Sequence, residues 1–314
     1  MNHCRIGIDL GGTNIAAGLV LNETIIDTLS CPTRAPRRPQ EIIADMAQLC
    51  HALLEKNRIA REQVLSLGVG IPGTANQQNG HVEDADNLGW QDEPFLTLLA
   101  EAVPWPVRFE NDANAAALGE YRHSGCRAPS FIMVTLGTGV GGGIILNGRI
   151  QPGINGAAGE FGHMVIRRGG RACNCGRHGC LEAYASAPAL KKQAAACMKK
   201  HSQSLLWEKA SPATVDARLV FDVANEGDAL ALGLVEWYTD HLAEGLANII
   251  NLLQPAVMCI GGGVCHAGDT LFVPLEKKID QMNYARHALK KTRLIRAALG
   301  NDAGILGAAL LGNE

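Results

Sequence analysis

Between His163 and Cys180, within eighteen residues, the chain places two histidines and three cysteines that could act as ligands. They sit in the run EFGHMVIRRGGRACNCGRHGC, which begins at Glu160, with the spacing H-x9-C-x-C-x4-C over His163, Cys173, Cys175 and Cys180. Three thiolates and one imidazole suit a tetrahedral structural Zn²⁺ closed to solvent ligands. Cys-x-Cys is tighter than the usual Cys-x2-Cys knuckle, so three neighbouring thiols without a metal stay open as an alternative. A redox role fits less well, because the thioredoxin-like pattern needs Cys-x-x-Cys. His178 lies inside the cluster and competes as a ligand. His163 is preferred, because a Cys3His set is complete without His178.

Three glycine turns offer backbone groups instead of side chains. The first is Asp9-Leu10-Gly11-Gly12-Thr13-Asn14. Glycine lets backbone N–H groups approach an anion closely, and the adjacent Asp9 could hold Mg²⁺ through water. An ordinary hairpin turn is the competing reading. The second runs from Leu136 through Gly137, Thr138 and Gly139 to Gly143. Such a row of small residues stabilises no core, but makes sense where a polyphosphate sits against backbone. The third, Gly261-Gly262-Gly263, follows an apolar run and could face a flat adenine ring. None matches GxxxxGK[ST], nor GxGxxG in a βαβ unit, so a nucleotide site here is of another type.

The elements that must carry these turns read as α/β. CRIGIDL, IAAGLVL and TIIDTLS form strand, tight turn, strand, strand, an antiparallel start. Ile42, Ile43, Met46, Leu49, Cys50, Leu53 and Leu54 share one helical face over residues 40–57. LSLGVGIPG is a buried strand ending in a Pro-Gly turn. VRFENDANAAALGEYR is a strand and then an Ala-rich helix, with Asn111 or Asp112 at its cap. Strand–glycine turn–strand recurs at SFIMVTLGTGVGGGIILNGRI, and Asn-Asp before an Ala-rich helix recurs at Asn301-Asp302, here assigned to capping and hinge packing. Two related α/β halves are expected.

Composition narrows the classes. Of 314 residues, 47% are apolar and 19% charged, so a sizeable core is expected. With a net charge of −3 and no long basic block, nucleic acid is excluded as a partner. No run is apolar enough for a membrane span, and Asp9 and Asn14 interrupt any signal peptide. A cytoplasmic protein is expected, its ten cysteines reduced thiols or metal ligands.

Two phosphate-type turns, an adenosine-type turn and two Asp-led helices resemble the actin-like ATPase (ribonuclease H-like) fold, with two lobes and a substrate cleft between them. The Glu-x-Gly-His and Cys-x-Cys-Gly-x-x-Gly-Cys-x-Glu pair narrows the resemblance to the ROK family (repressors, open reading frames and kinases), over essentially the whole chain. The resemblance implies ATP-dependent phosphorylation of a hexose, glucose first, at its 6-hydroxyl. It places zinc on His163, Cys173, Cys175 and Cys180. It makes Asp112 the base that takes the hydroxyl proton. Asn111, Asp112, Glu160, His163 and Glu182 hold sugar hydroxyls. Gly11, Gly12, Thr13, Asn14, Gly137, Thr138, Gly139 and Gly261–Gly263 serve the nucleotide, and Asp9 serves its Mg²⁺. The expected lobes are 1–118 plus 299–314, and 119–298 with the zinc loop 163–180. A homodimer or higher homo-oligomer is expected by family analogy. Within the family, N-acetylmannosamine, N-acetylglucosamine and fructose are alternative substrates, and polyphosphate an alternative donor. A repressor would carry a DNA-binding extension, for which eight residues before Asp9 leave no room. A non-catalytic sugar sensor is the reading from another class.

Overall fold

The computed structural model describes residues 3–312. In chain order the elements begin with β1 (Cys4–Leu10), β2 (Asn14–Leu21), β3 (Thr24–Pro32), α1 (Pro39–Asn57), β4 (Val64–Ile71), β5 (Thr74–Asn76), β6 (His81–Ala85) and β7 (Trp90–Glu93). Next come α2 (Phe95–Ala102), β8 (Val107–Asn111), α3 (Asp112–His123), β9 (Ser130–Leu136), β10 (Val140–Leu146) and β11 (Arg149–Ile150). The remainder is mostly helical: α4 (Glu182–Ala185), α5 (Ala187–Met198), α6 (Leu206–Lys209), α7 (Ala217–Asn225) and α8 (Ala229–Leu253). The chain ends with β12 (Val257–Gly261), α9 (Asp269–Met282), β13 (Arg293–Arg296) and α10 (Asp302–Leu310).

Two compact units divide the chain: Met1–Met133, Gly143–Gly159 and Ala298–Glu314 in one, Val134–Gly142 and Glu160–Ala297 in the other. The expected boundary at 118 falls earlier, since residues 119–133 and 143–159 stand in the first unit. The strand order of the first sheet is β3-β2-β1-β4-β8, and that of the second is β11-β10-β9-β12-β13. The order has the same form in both, as expected of related halves.

In the first unit, β1, β2 and β3 pair antiparallel, while β4 and β8 add on in parallel to β1. Alternation along the strands sorts the two faces. Ile6, Ile8 and Leu10 of β1 and Leu67, Val69 and Ile71 of β4 join Ile42, Met46, Cys50 and Leu53 of α1 in one fully buried core. The opposite phase carries Gly7, Gly68 and Gly70, and there the helices come down onto backbone. A Cβ at Gly7 would lie 1.9 Å from Ile305 O, and one at Gly68 1.8 Å from Ala308 O, both on α10. The helices α3 and α10 meet in the same manner, Gly119 against Ala303 O and Gly307 against Ala115 O. Glu120 of α3 is buried and accepts the N–H groups of Ala298 and Leu299 at 3.0 and 2.7 Å, fixing the chain just before α10.

The second unit is built around α8, whose Leu234, Tyr238, Leu242 and Leu246 are buried. Tyr238 donates its hydroxyl to Ala185 O at 2.6 Å, tying α8 to α4. Among the described residues no helix is long and apolar enough to cross a membrane.

One expectation is corrected. Asn301 precedes α10 but makes no capping hydrogen bond, because its backbone is already helical (φ −70°, ψ −17°). A cap needs extended backbone to turn its side chain back on the first turn.

The glycine packing predicts a contrast. Gly307→Ala puts a Cβ 1.7 Å from Ala115 O and should cost roughly 2–3 kcal/mol in urea unfolding. Gly233→Ala in α8, where a Cβ meets nothing within 4 Å, should be neutral or stabilising by about 0.5–1 kcal/mol. Equal effects at the two positions would remove close packing as the reason for Gly307.

Candidate active site and metal centre

The carboxyl ends of the parallel strands gather the polar groups of the first unit. Asp9 pairs across to Gly70 of β4, and Gly70 to Glu110 of β8. Asp9 lies on the α10 face, its carboxyl carbon 2.9 Å from where a Cβ on Gly304 would stand. Burial pushes its pKa up to about 6. The turn after it is closed by Gly11 N–H on Asn14 O at 2.9 Å. Thr33, fully buried, braces it from β3's end, its hydroxyl on Gly11 O at 2.6 Å and its N–H on Thr13 O at 2.8 Å. Gly12 faces Asn87, whose Cβ lies 3.1 Å from where a Cβ on Gly12 would stand. A cavity of about 720 Å³ opens here, lined among others by Asp9, Gly11, Thr13, Asn14, Asn301 and Asp302.

At the end of β8, Asn111 caps α3. Its Oδ1 accepts the N–H groups of Ala113 and Asn114 at 2.9 and 3.1 Å, and its Nδ2 donates to Gly73 O at 3.0 Å. That leaves one Nδ2 hydrogen for a ligand. Asp112 is the first helical residue, and its Oδ1 accepts the Ala113 N–H at 2.8 Å. Its Cα packs 3.4 Å from the Cβ position of Gly70. Beneath both lies Glu110, 1% exposed, accepting from Asn111 N–H at 2.8 Å and Asn114 Nδ2 at 3.1 Å, with Gln77 Nε2 as a further donor.

In the second unit, the 137–143 turn is closed by Gly137 N–H on Gly139 O at 3.0 Å. Glu182 Oε2 accepts the Val140 N–H at 2.9 Å. Gly262, at φ +80°, lies against Leu136, whose carbonyl oxygen is 2.4 Å from the Cβ position. Any side chain there would strike that backbone, so β12 ends in a turn only glycine allows.

The ligand atoms of His163, Cys173, Cys175 and Cys180 all lie within 4.8 Å of one another. A tetrahedral zinc with bonds of about 2.3 Å to sulfur and about 2.0 Å to nitrogen sets its ligand atoms roughly 3.5–3.8 Å apart. Cys175 Sγ and Cys180 Sγ stand 3.7 Å apart, and Cys173 Sγ and His163 Nδ1 3.6 Å. The donor set therefore fits the ion. The Arg177 backbone N–H beside Cys175 holds that thiol down at about 7, a thiolate within easy reach at neutral pH. Burial pushes Cys180 up to about 12. With Nδ1 turned to the sulfurs, His163 Nε2 faces outward, 3.8 Å from Glu160 Oε2.

Each unit thus assembles its own share of the expected residues. Asp9, Gly11–Asn14, Asn111 and Asp112 gather in the first, and the second holds Gly137–Gly139, Glu160, His163, Glu182, Gly261–Gly263 and the cysteines. Sequence reasoning missed Thr33, Glu110 and the bond from Glu182 to the turn. A glutamate in the last buried positions of a strand was the available signal for Glu110.

The sequence model of the ROK family matches residues 5–314. A glucokinase of Halalkalibacterium halodurans is 38% identical over 310 residues, 98% of this chain and 94% of its own length. A glucokinase of Thermotoga maritima is 37% identical, across 98% of this chain and 97% of its own. The crystal structure of a ROK family glucokinase from Streptomyces griseus in complex with glucose and AMPPNP matches with a TM-score of 0.83 at 33% identity, covering 99% of each chain. The chain belongs to the ROK family. Its fold is the two-lobed actin-like ATPase fold of these sugar kinases.

Asp9 carries a pH-dependent cost. An acid whose pKa rises on folding holds its proton more tightly when folded. Stability therefore falls as pH rises from the ordinary value of 3.8 to about 6. Asp9→Asn should raise the thermal midpoint of the ligand-free protein by about 3 °C near pH 7.5 and give no gain near pH 4. Equal midpoints at the higher pH would remove that burial cost.

Proposed function

We propose that this chain is an ATP-dependent hexokinase of the glucokinase type, making glucose 6-phosphate and ADP. The observation that carries it is the placement of Asp112. It stands at the carboxyl end of β8, its backbone set by the Asn111 cap and the glycine contact with β4. The full-length likeness to glucokinases supports the substrate.

In this reading the Asp112 carboxylate accepts the proton of the sugar 6-hydroxyl as that oxygen bonds to the γ-phosphorus. The bond from phosphorus to the bridging oxygen breaks, and ADP leaves with the electron pair. The transition state is loose, so positioning matters more than a strongly raised basicity. The remaining Nδ2 hydrogen of Asn111 donates to a neighbouring hydroxyl. Glu160 accepts from the sugar, and His163 Nε2–H donates to it. The backbone of Gly11–Thr13 and Gly137–Gly139 cradles phosphates, with Asn14 at the first turn's edge, and Gly261–Gly263 faces the base. Asp9 sets the magnesium that arrives with ATP, through water. As a consumer of ATP and free hexose, the enzyme would act in the cytoplasm.

Zinc, when bound by His163, Cys173, Cys175 and Cys180, supplies structure and takes no part in phosphoryl transfer. His163 then has a fixed tautomer, its outward nitrogen a permanent donor. Metal analysis should find about one zinc per chain, and Cys175→Ser should lower zinc content and thermal stability together. Full zinc and an unchanged midpoint in that variant would remove the centre.

The function itself is tested by ADP release with Mg–ATP against glucose, mannose, fructose, N-acetylglucosamine and N-acetylmannosamine. Glucose should be strongly preferred. Asp112→Asn should abolish turnover while glucose affinity stays within about tenfold. Preference for an N-acetyl sugar would keep the mechanism and change the substrate. Binding without turnover of any sugar would make the chain a sensor.

A further inference from the structure

Glu182 is read above as a sugar ligand, yet its carboxylate already grips the 137–143 turn. Its Oε2 accepts the Val140 N–H at 2.9 Å, and a Cβ at Gly139 would lie only 2.5 Å from that same oxygen. A second bond reaches the turn from the same stretch of chain: the Ala187 N–H donates to Gly137 O at 2.9 Å. Residues 182–187 are α4 and the start of α5. They are well anchored. Leu181 N–H donates to Met164 O at 2.8 Å, and the Leu181 side chain fills the space over Gly245 of α8. Cys180, two residues before Glu182, pairs with Val165.

We propose that Glu182 is a positioning residue for the phosphate turn. Its Oε2 holds Val140 so that the backbone of Gly137–Gly139 stays aimed at the nucleotide, while Oε1 serves the sugar. The inference rests on the reading of 137–143 as a phosphate turn. A carboxylate–amide bond is charge-assisted and stronger than a neutral one. A glycine-rich turn has much conformational freedom to lose when a ligand binds. Fixing it beforehand removes that cost from nucleotide binding. One side chain then serves both substrates, from a position two residues beyond a zinc ligand.

The two substrates separate this role from that of a sugar ligand alone. Mg–AMPPNP and glucose are titrated separately by calorimetry into the zinc-loaded wild type, Glu182→Ala, Glu182→Gln and Gly137→Val. Glu182→Ala should lose about tenfold or more in AMPPNP affinity, the loss of one charge-assisted bond. Glu182→Gln keeps a carbonyl oxygen for Val140 and should hold AMPPNP affinity within about threefold of wild type, whatever happens to glucose. Gly137→Val reports on the turn itself. A Cβ there meets no protein atom within 4 Å, so the variant should fold and lose AMPPNP affinity only because phosphate belongs there. If Glu182→Ala loses glucose affinity alone while Gly137→Val loses AMPPNP, the positioning role is overturned and the phosphate turn stands. If Gly137→Val binds AMPPNP as wild type does, the phosphate reading fails and the inference falls with it. Should Glu182→Ala fail to fold, Gly139→Ala decides. Its Cβ displaces Oε2 from Val140 and should weaken AMPPNP binding, and unchanged binding overturns the role.

Discussion

Backbone-to-backbone contact between α10 and the first sheet is the constraint on which much of the first unit depends. At Gly7 and Gly68 there is no space for even one carbon between strand and helix. Gly119 and Gly307 bring α3 onto α10 equally closely. A contact with no flexible side chains between its partners has few alternative registers, and close-packed interiors pass on small displacements. Asp9 lies two residues after Gly7 on the same face, and Asp112 lies against Gly70. The carboxylates of the first unit are therefore set by the same contacts that set the helices. Phosphoryl transfer depends on positioning at that scale.

The loop of the second unit that carries the three clustered cysteines achieves order by other means. Between Met164 and Leu181 the backbone has isolated bridges, Val165 with Cys180 and Ala172 with His178, but no helix or extended strand. Such a stretch buries little apolar surface, and a tetrahedral donor set can replace that missing core. Side-chain stacking then fixes the loop to α8. The Arg171 guanidinium lies over the rings of Tyr184 and Trp237, at 5.2 and 4.8 Å, and Tyr184 stacks on His241 at 4.6 Å. A planar cation on aromatic faces suits a partly exposed seam, since it keeps its hydration at the edges.

What could be read from the chain was local. The strand over 4–10, the strand in LSLGVGIPG, the helix over 40–57 and a cap at Asn111 or Asp112 follow from alternation, helical spacing and residue type within a few positions. The cysteine cluster is compact in sequence and equally visible. The three strands β5, β6 and β7 were not, because TAN, HVEDA and WQDE are short and polar, with no sustained alternation. Thr33 holds a turn 22 residues earlier, and Glu182 one 42 residues earlier. Neither partner is implied by its neighbours in sequence, since the fold alone brings them together.

The two Asn-Asp pairs show how one local signal acquires different meanings. Asn111 leaves a strand with ψ near 143°, so its side chain reaches back over the first turn of α3. Asn301 follows Gly300 at φ +57° and enters α10 already helical, so it caps nothing. It lies instead with Asp302 in the wall of the cavity that Asp9 shares. Asp9 faces the first turn of that helix, where partial positive charge favours a carboxylate. Even so, burial prevails and raises its pKa to about 6. The fold thus bears a cost for this carboxylate at the mouth of the glycine turn that follows β1, and buried charges held at such a cost gather at functional sites.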